Sequence, residues 1–152
     1  MKKLLSILRG LGLILILVGC SSQETATFTQ KAGTTEFILV YTYDKKNDTV
    51  TKFKVEMKSS TENTRARKEN EKLSGEIKKD GVVVSVTEKD GKLISTVEID
   101  LTKYKLSEIK ESNNAILAGL LQSGFLIEDG DHVSFSKSKE GALKRGMKEQ
   151  TK

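Results

Sequence analysis

The chain has 152 residues, of which 36% are hydrophobic, 31% charged and 5% aromatic, with no Trp, no Pro and one Cys. That is the size of one domain with a modest core built on Val, Ile and Leu, and it excludes a disordered chain and any disulfide within the chain. The net charge of +5 does not imply nucleic acid: Lys2, Lys3 and Arg9 precede the expected cleavage point, six bases crowd positions 137–152, and the body from Cys20 to Ser136 holds 17 basic and 19 acidic residues with no basic face.

Residues 1–19 carry the parts of a secretory signal peptide: Lys2 and Lys3, an apolar stretch, and small residues before a cleavage point. The uninterrupted apolar run from Gly10 to Gly19 is about half of the roughly 20 residues that a spanning helix needs. Leu17-Val18-Gly19-Cys20 matches a lipobox, in which a branched residue, a small or branched residue and Gly or Ala precede the lipidated Cys. A thiol is nucleophilic enough to take diacylglycerol as a thioether, and small Gly19 gives the peptidase access to the bond it cuts. Two acyl chains, or three once the new amine is acylated, suffice for lasting attachment. The expected address is the extracytoplasmic face of a cell membrane, with the membrane as partner through the lipid on Cys20.

Positions 20–26 read as a lipidated polar tether, with residues 27–136 as the folded domain. Thr35 to Asp44 alternates, with Phe37, Leu39, Tyr41 and Tyr43 on one face; after the turn Lys45-Lys46-Asn47-Asp48, Thr49 to Met57 resumes with Phe53, Val55 and Met57, so the two runs predict a hairpin. Ser59 and Glu62 have capping-box spacing, and a polar helix is predicted towards Lys79 with a narrow stripe of Ala66, Leu73 and Ile77. Asp80-Gly81 and Asp90-Gly91 supply the positive φ angles that tight turns demand, bracketing a second hairpin of Val82 to Glu88 and Lys92 to Leu101. Asn113 caps a predicted core helix over 113–123 carrying Ile116, Leu117, Leu120 and Leu121, which ends at Gly124. A turn from Glu128 to Asp131 and a short strand around Val133 to Phe135 follow. Residues 137–152 read as a basic tail, loose or weakly helical. Hairpins separated by helices predict an α+β fold, an antiparallel β-sheet packed with helices.

The lipobox at Cys20, the early paired strands, the polar helix, the run from Val97 to Tyr104 and the helix closing in Leu121-Gln122-Ser123-Gly124-Phe125 together resemble the YehR-like small bacterial lipoproteins, whose domain has no assigned function. The resemblance covers most of the chain after Cys20. It implies a two-layer sandwich of sheet and helices, and none of the residues that carry it is a catalytic motif.

Candidate chemistry is sparse. His132 is the single histidine, beside Glu128, Asp129 and Asp131; a weak surface metal site is conceivable there, but the spacing fits no calcium loop and solvated carboxylates in a turn are expected. His132 and Ser134 share a strand face, with nothing to complete a triad. Glu98 and Asp100 should lie on the outer side of the sheet, and Gly81, Gly91 and Gly130 are explained as turns. No metal, cofactor or catalytic residue is therefore expected. The reading is a non-enzymatic envelope lipoprotein that binds or supports another envelope component. The alternative is a small-ligand receptor of an uptake system, disfavoured because few aromatics are present to line a deep cleft. The tail's net charge of +4 either draws the domain onto anionic lipid or only solubilises the terminus.

Overall fold

The computed structural model describes residues 22–60, 68, 79–112 and 114–151. The signal peptide, Cys20, Asn113 and, apart from Lys68, the predicted polar helix lie outside the described residues.

Eight strands form an antiparallel sheet: β1 (Gln23–Ala32), β2 (Thr35–Asp44), β3 (Thr49–Ser60), β4 (Val82–Lys89), β5 (Lys92–Asp100), β6 (Ile127–Asp129), β7 (His132–Ser134) and β8 (Lys148–Glu149). Among the described residues three helices of full extent accompany it: α1 (Leu106–Glu111), α2 (Ala115–Gln122) and α3 (Phe135–Lys144). The main path runs β4-β5-β3-β2-β1-β8, with β7 joining β3 and β6 pairing β7. The α+β expectation holds.

Register explains the core. Phe28 lies opposite Leu39, Leu39 opposite Val55, Val55 opposite Val97 and Val97 opposite Val84, so one row of apolar side chains crosses five strands. The next row is Ala26, Tyr41, Phe53, Ile99 and Val82. A period of two puts both rows on one face, where they meet Leu106 and Ile109 of α1, Leu117 and Leu120 of α2, and Phe135 and Ala142 of α3. Each fully buried large side chain contributes about 1.5–3 kcal/mol. Around Tyr41 the contacts are aromatic: Phe28 meets it edge-on at 5.6 Å between centroids, and Phe53 is tilted at 4.9 Å.

The opposite face is mostly charged, with Ile38, Val40, Ile94 and Val83 among its ion pairs. Lys54 reaches Glu56 at 3.0 Å, Lys58 reaches Glu56 at 3.3 Å, and Lys52 reaches Asp100 at 3.5 Å. Asp100 is therefore on the outer side, as its alternation with Ile99 predicts.

The hairpin turns follow the glycine pattern. Asp90 and Gly91 sit at φ of 52° and 70° between paired Lys89 and Lys92, the two positive angles of a type I′ turn. Gly124 ends α2 at φ of 70°.

The structure corrects the predicted boundaries in several places. The polar segment read as a tether through Ala26 is strand from Gln23, because it pairs with β2 along its entire length, Gln23 opposite Asp44 to Ala32 opposite Thr35. Backbone pairing, not apolar content, holds it. A register shift between Thr42 and Tyr43 moves Val50 opposite Tyr43, a bulge that turns Val50 inward, where it is 2% exposed. Leu106 to Glu111 is a helix that the polar sequence concealed; the Glu108 carboxylate accepts from the Lys105 N–H at 2.9 Å at its start. For α2 the side-chain cap is Asn114, whose Oδ1 accepts from Leu117 N–H at 3.3 Å.

The largest correction concerns the basic tail. Of the two expectations for it, the helical one agrees with α3, but residues 137–151 are neither loose nor outside the domain: α3 buries Ala142, Met147 is 3% exposed, and β8 pairs with β1. Three of its cations are matched, Lys137 to Asp129 at 3.0 Å, Lys139 to Glu149 at 2.7 Å and Lys144 to Glu140 at 2.6 Å.

Candidate functional site

The residues singled out for chemistry converge only in part. His132 lies on β7 at the wall of an open cleft of about 470 Å³, together with Thr49, Leu101, Lys105, Lys110 and Asp131. Its Nδ1 is 3.4 Å from the Asp131 carboxylate, a long contact. Glu128 is engaged by Lys110 at 2.6 Å and Asp129 by Lys137 at 3.0 Å, so the acidic turn spends its carboxylates one at a time. Among the described residues no three His, Cys, Asp or Glu side chains form a group that could hold a metal ion.

Ser134, two residues from His132, turns inward instead. It is fully buried, and its Oγ donates to Asp48 Oδ2 at 2.5 Å and accepts from Lys137 N–H at 3.2 Å as the N-cap of α3. Asp48 also accepts from Ser136, through its hydroxyl at 2.7 Å and its N–H at 2.9 Å. Desolvation pushes the Asp48 carboxyl up, but the hydrogen bonds from Ser134 and Ser136 and the neighbouring His132 outweigh it and hold it below the usual carboxylate range. A serine so enclosed has no access to a substrate. The Ser–Asp cluster docks the β2–β3 turn onto the N-terminus of α3, where the helix dipole also favours the negative charge. Asp48 was missed as a functional residue in the sequence because it sits 86 residues from Ser134.

A second concavity is apolar. Between the core face of the sheet and α2, Phe37, Leu39 and Val55 face Leu120 and Phe125 across a groove of about 330 Å³, with Gln30 and Ser123 as polar lining and Gly119 leaving space on the helix. Tyr41 braces this wall: its OH donates to the Phe125 carbonyl at 2.8 Å, and burial pushes its phenol well above the ordinary range. The Arg145 guanidinium lies 5.7 Å from the Phe125 ring centroid. Neither concavity was legible in the sequence, since their linings come from segments far apart in it.

The third feature is an edge. Among the described residues no strand pairs with the outer side of β4, which reads Val-Val-Val-Ser-Val and exposes 60% of Val83. The other edge is partly closed, because β8 covers β1 at Phe28 and Thr29. An unpaired strand of β-branched residues without Pro is a template for another strand.

At the start of the described chain, Ser22 is already fixed: its carbonyl accepts from Lys45 N–H at 2.9 Å and its hydroxyl donates to Asp44. Among the described residues no helix is long and apolar enough to cross a membrane.

No family model matches the chain. The uncharacterized lipoprotein Lin0239 of Listeria innocua is 28% identical over 157 aligned residues, covering 98% of this chain and 96% of that protein. Among solved structures, the Escherichia coli protein YehR superposes with a TM-score of 0.56 at 22% identity, over 85% of this chain and 91% of its own. A protein from Streptococcus pneumoniae superposes with a TM-score of 0.55 at 14% identity, over 99% and 98%. The fold is thus shared with YehR, and the relative along nearly the full length is a lipoprotein, so the resemblance drawn from the sequence is supported on both counts.

Proposed function

We propose that this chain, similar to a listerial lipoprotein and folded like YehR, is a non-enzymatic component of the cell envelope, anchored through lipid on Cys20, that binds a protein partner by strand addition. The observation that carries the reading is the outer edge of β4, with which no strand pairs among the described residues, and beside which Val83 is exposed on the outer face of the sheet. Main-chain hydrogen bonds to an extended partner segment would supply affinity, and alternate side-chain contacts specificity. The enclosed Ser134 and the singly spent carboxylates of the acidic turn support a role without catalysis.

A photocrosslinking residue at Val83, compared in intact cells with one at Asn47, tests this. The expected result is a discrete heterologous adduct at Val83 that is lost when Ser85→Lys is added, since a lysine on an edge disfavours pairing. No adduct, or equal adducts at both positions, would sink the idea. An adduct of twice the chain's mass would give the edge to a second copy instead.

The apolar groove favours a second reading, a receptor for a small apolar ligand, because its volume reaches the lower end of the range of ligand pockets, about 300–1,000 Å³. Thermal-shift screening decides it: a lipophilic probe that raises the midpoint, with the rise abolished by Gly119→Leu filling the groove, would favour this reading over strand addition.

A further inference from the structure

Ser22, the first described residue, is already hydrogen-bonded and lies two positions after the expected lipidation site Cys20. Ser22 is held at the β2–β3 turn by Lys45 N–H at 2.9 Å and by Asp44, and Gln23 is already paired with Asp44. Two residues of chain reach at most about 7 Å, so a lipid on Cys20 leaves this end of the domain no freedom to stand away from the bilayer. A tether running to Ala26 would have allowed more; the strand from Gln23 removes it.

We infer that the domain is held end-on at the membrane, with the turn from Lys45 to Asp48 against the phospholipid headgroups and the strands rising away from them. This rests on the anchoring of Cys20 proposed above. Sheet register states which features share that end. The starts of β1 and β3, the end of β2 and, through Ser134 opposite Thr49, the N-terminus of α3 are together. At the other end lie the Gly33–Thr34 turn and, through Ser60 opposite Lys92, the Asp90–Gly91 turn. Ten residues of β2 separate the two ends by about 30 Å.

The chemistry of the proximal turn fits headgroups. Asp44 accepts from Lys46 N–H at 2.8 Å and from the Asn47 side chain at 2.9 Å, and Asp48 is enclosed by Ser134 and Ser136, so these carboxylates are turned to internal donors. Lys45 is paired with Glu24 at 2.9 Å, while Lys46 is exposed and, among the described residues, makes no ion pair. Its ammonium is available to lipid phosphate. The basic tail shares this end only at the start of α3 and then leaves it: Arg145 O accepts from Gln30 Nε2 at 3.0 Å, and β8 lies along the middle of β1 with Lys148 opposite Thr29. Membrane contact therefore belongs to the β2–β3 turn, with the start of α3 beside it, and not to the tail beyond that first turn. The apolar groove, which includes Phe37 and Gln30, is left in the distal half, open to the envelope space.

The test uses the mature lipidated chain in vesicles of phosphatidylglycerol and phosphatidylethanolamine that carry a headgroup nitroxide. With the Cys20 thiol consumed as thioether, Asn47→Cys or Thr34→Cys provides a single site for a fluorophore; Lys45→Cys reports the same end should Asn47→Cys misfold. Quenching several-fold stronger at position 47 than at position 34 is expected. Inserting a flexible Gly-Ser linker of about twelve residues after Ser21, with a coil span of roughly 20 Å, should bring the two close to equality. Equal quenching without the linker overturns the end-on orientation, and an unchanged ratio with it overturns the short leash as its cause. Intact mass of the membrane-extracted protein separates this from the underlying reading: absence of added lipid on Cys20 overturns anchoring and orientation together, whereas a lipidated chain with equal quenching overturns orientation alone.

Discussion

At the residue scale the strongest contrasts are between glycines in helices. A Cβ at Gly141 in α3 would stand 2.3 Å from the Gly124 carbonyl oxygen, a backbone atom, whereas at Gly119 in α2 it would meet nothing within 4 Å. Gly141→Ala should therefore destabilise by about 1–3 kcal/mol through overpacking. Gly119→Ala should be neutral or stabilise by up to about 1 kcal/mol, since Ala favours a helix interior. Urea unfolding of the unlipidated domain reads both, and the opposite order would contradict the packing of α3 on the end of α2. Asp48 gives a pH signature. Its folded-state pKa lies below its ordinary value of 3.8, so its contribution is fully present above that value and is lost as pH falls through the folded pKa. Asp48→Asn should lose about 1–2 kcal/mol at pH 7, having weakened charge-assisted bonds to Ser134 and Ser136, and the gap from wild type should shrink as pH falls below 3.8. A gap that persists unchanged in acid would place the effect elsewhere. Ser59 is 5% exposed, and among the described residues its Oγ has no hydrogen-bond partner. Ser59→Ala should thus be neutral or slightly stabilising in the same measurement.

At the scale of elements, the C-terminal segment decides the most. Ala142 and Met147 sit in the core cluster beside Phe28 and Phe135, so truncation after Ser136 would strip apolar cover from the β1 side of the sheet. The expected outcome is loss of cooperative unfolding by circular dichroism, while Met147→Ala alone should cost about 2–5 kcal/mol. A truncated chain that unfolds as cooperatively as wild type would make α3 and β8 dispensable. The sequence reading of this segment failed for a physical reason. Lysines at positions 137, 139, 144 and 148 look solvated one by one, yet Lys137 and Lys139 find carboxylates in β6 and β8 that only the folded chain brings near. The same holds for β1, where Phe28 is the sole large apolar residue in a polar strand. Its one local signal was Gly33, at φ of 60° in a two-residue turn between paired Ala32 and Thr35.

At the scale of the whole molecule, protection should fall from the centre of the sheet outward. β3 and β2 are paired on both sides, whereas among the described residues β4 is paired on one side and β8 adds two residues. Hydrogen exchange should therefore be slowest in β2 and β3 and faster in β4 and β8, and β4 amides as slow as those of β3 would argue that its outer edge is covered. The sequence by itself determined the two central hairpins, the Asp90–Gly91 turn, the apolar face through Leu39, Tyr41, Phe53 and Ile99 and the stop at Gly124, because alternation, turn chemistry and capping are local and leave their mark within a few residues. The tertiary structure alone decided the pairing of polar β1, the bulge that turns Val50 inward, the Asp48–Ser134 dock and the folding of the basic tail. Apart from the bulge, which lies within one hairpin, each of these depends on hydrogen bonds or packing between segments distant in the chain, whose energies no local pattern encodes.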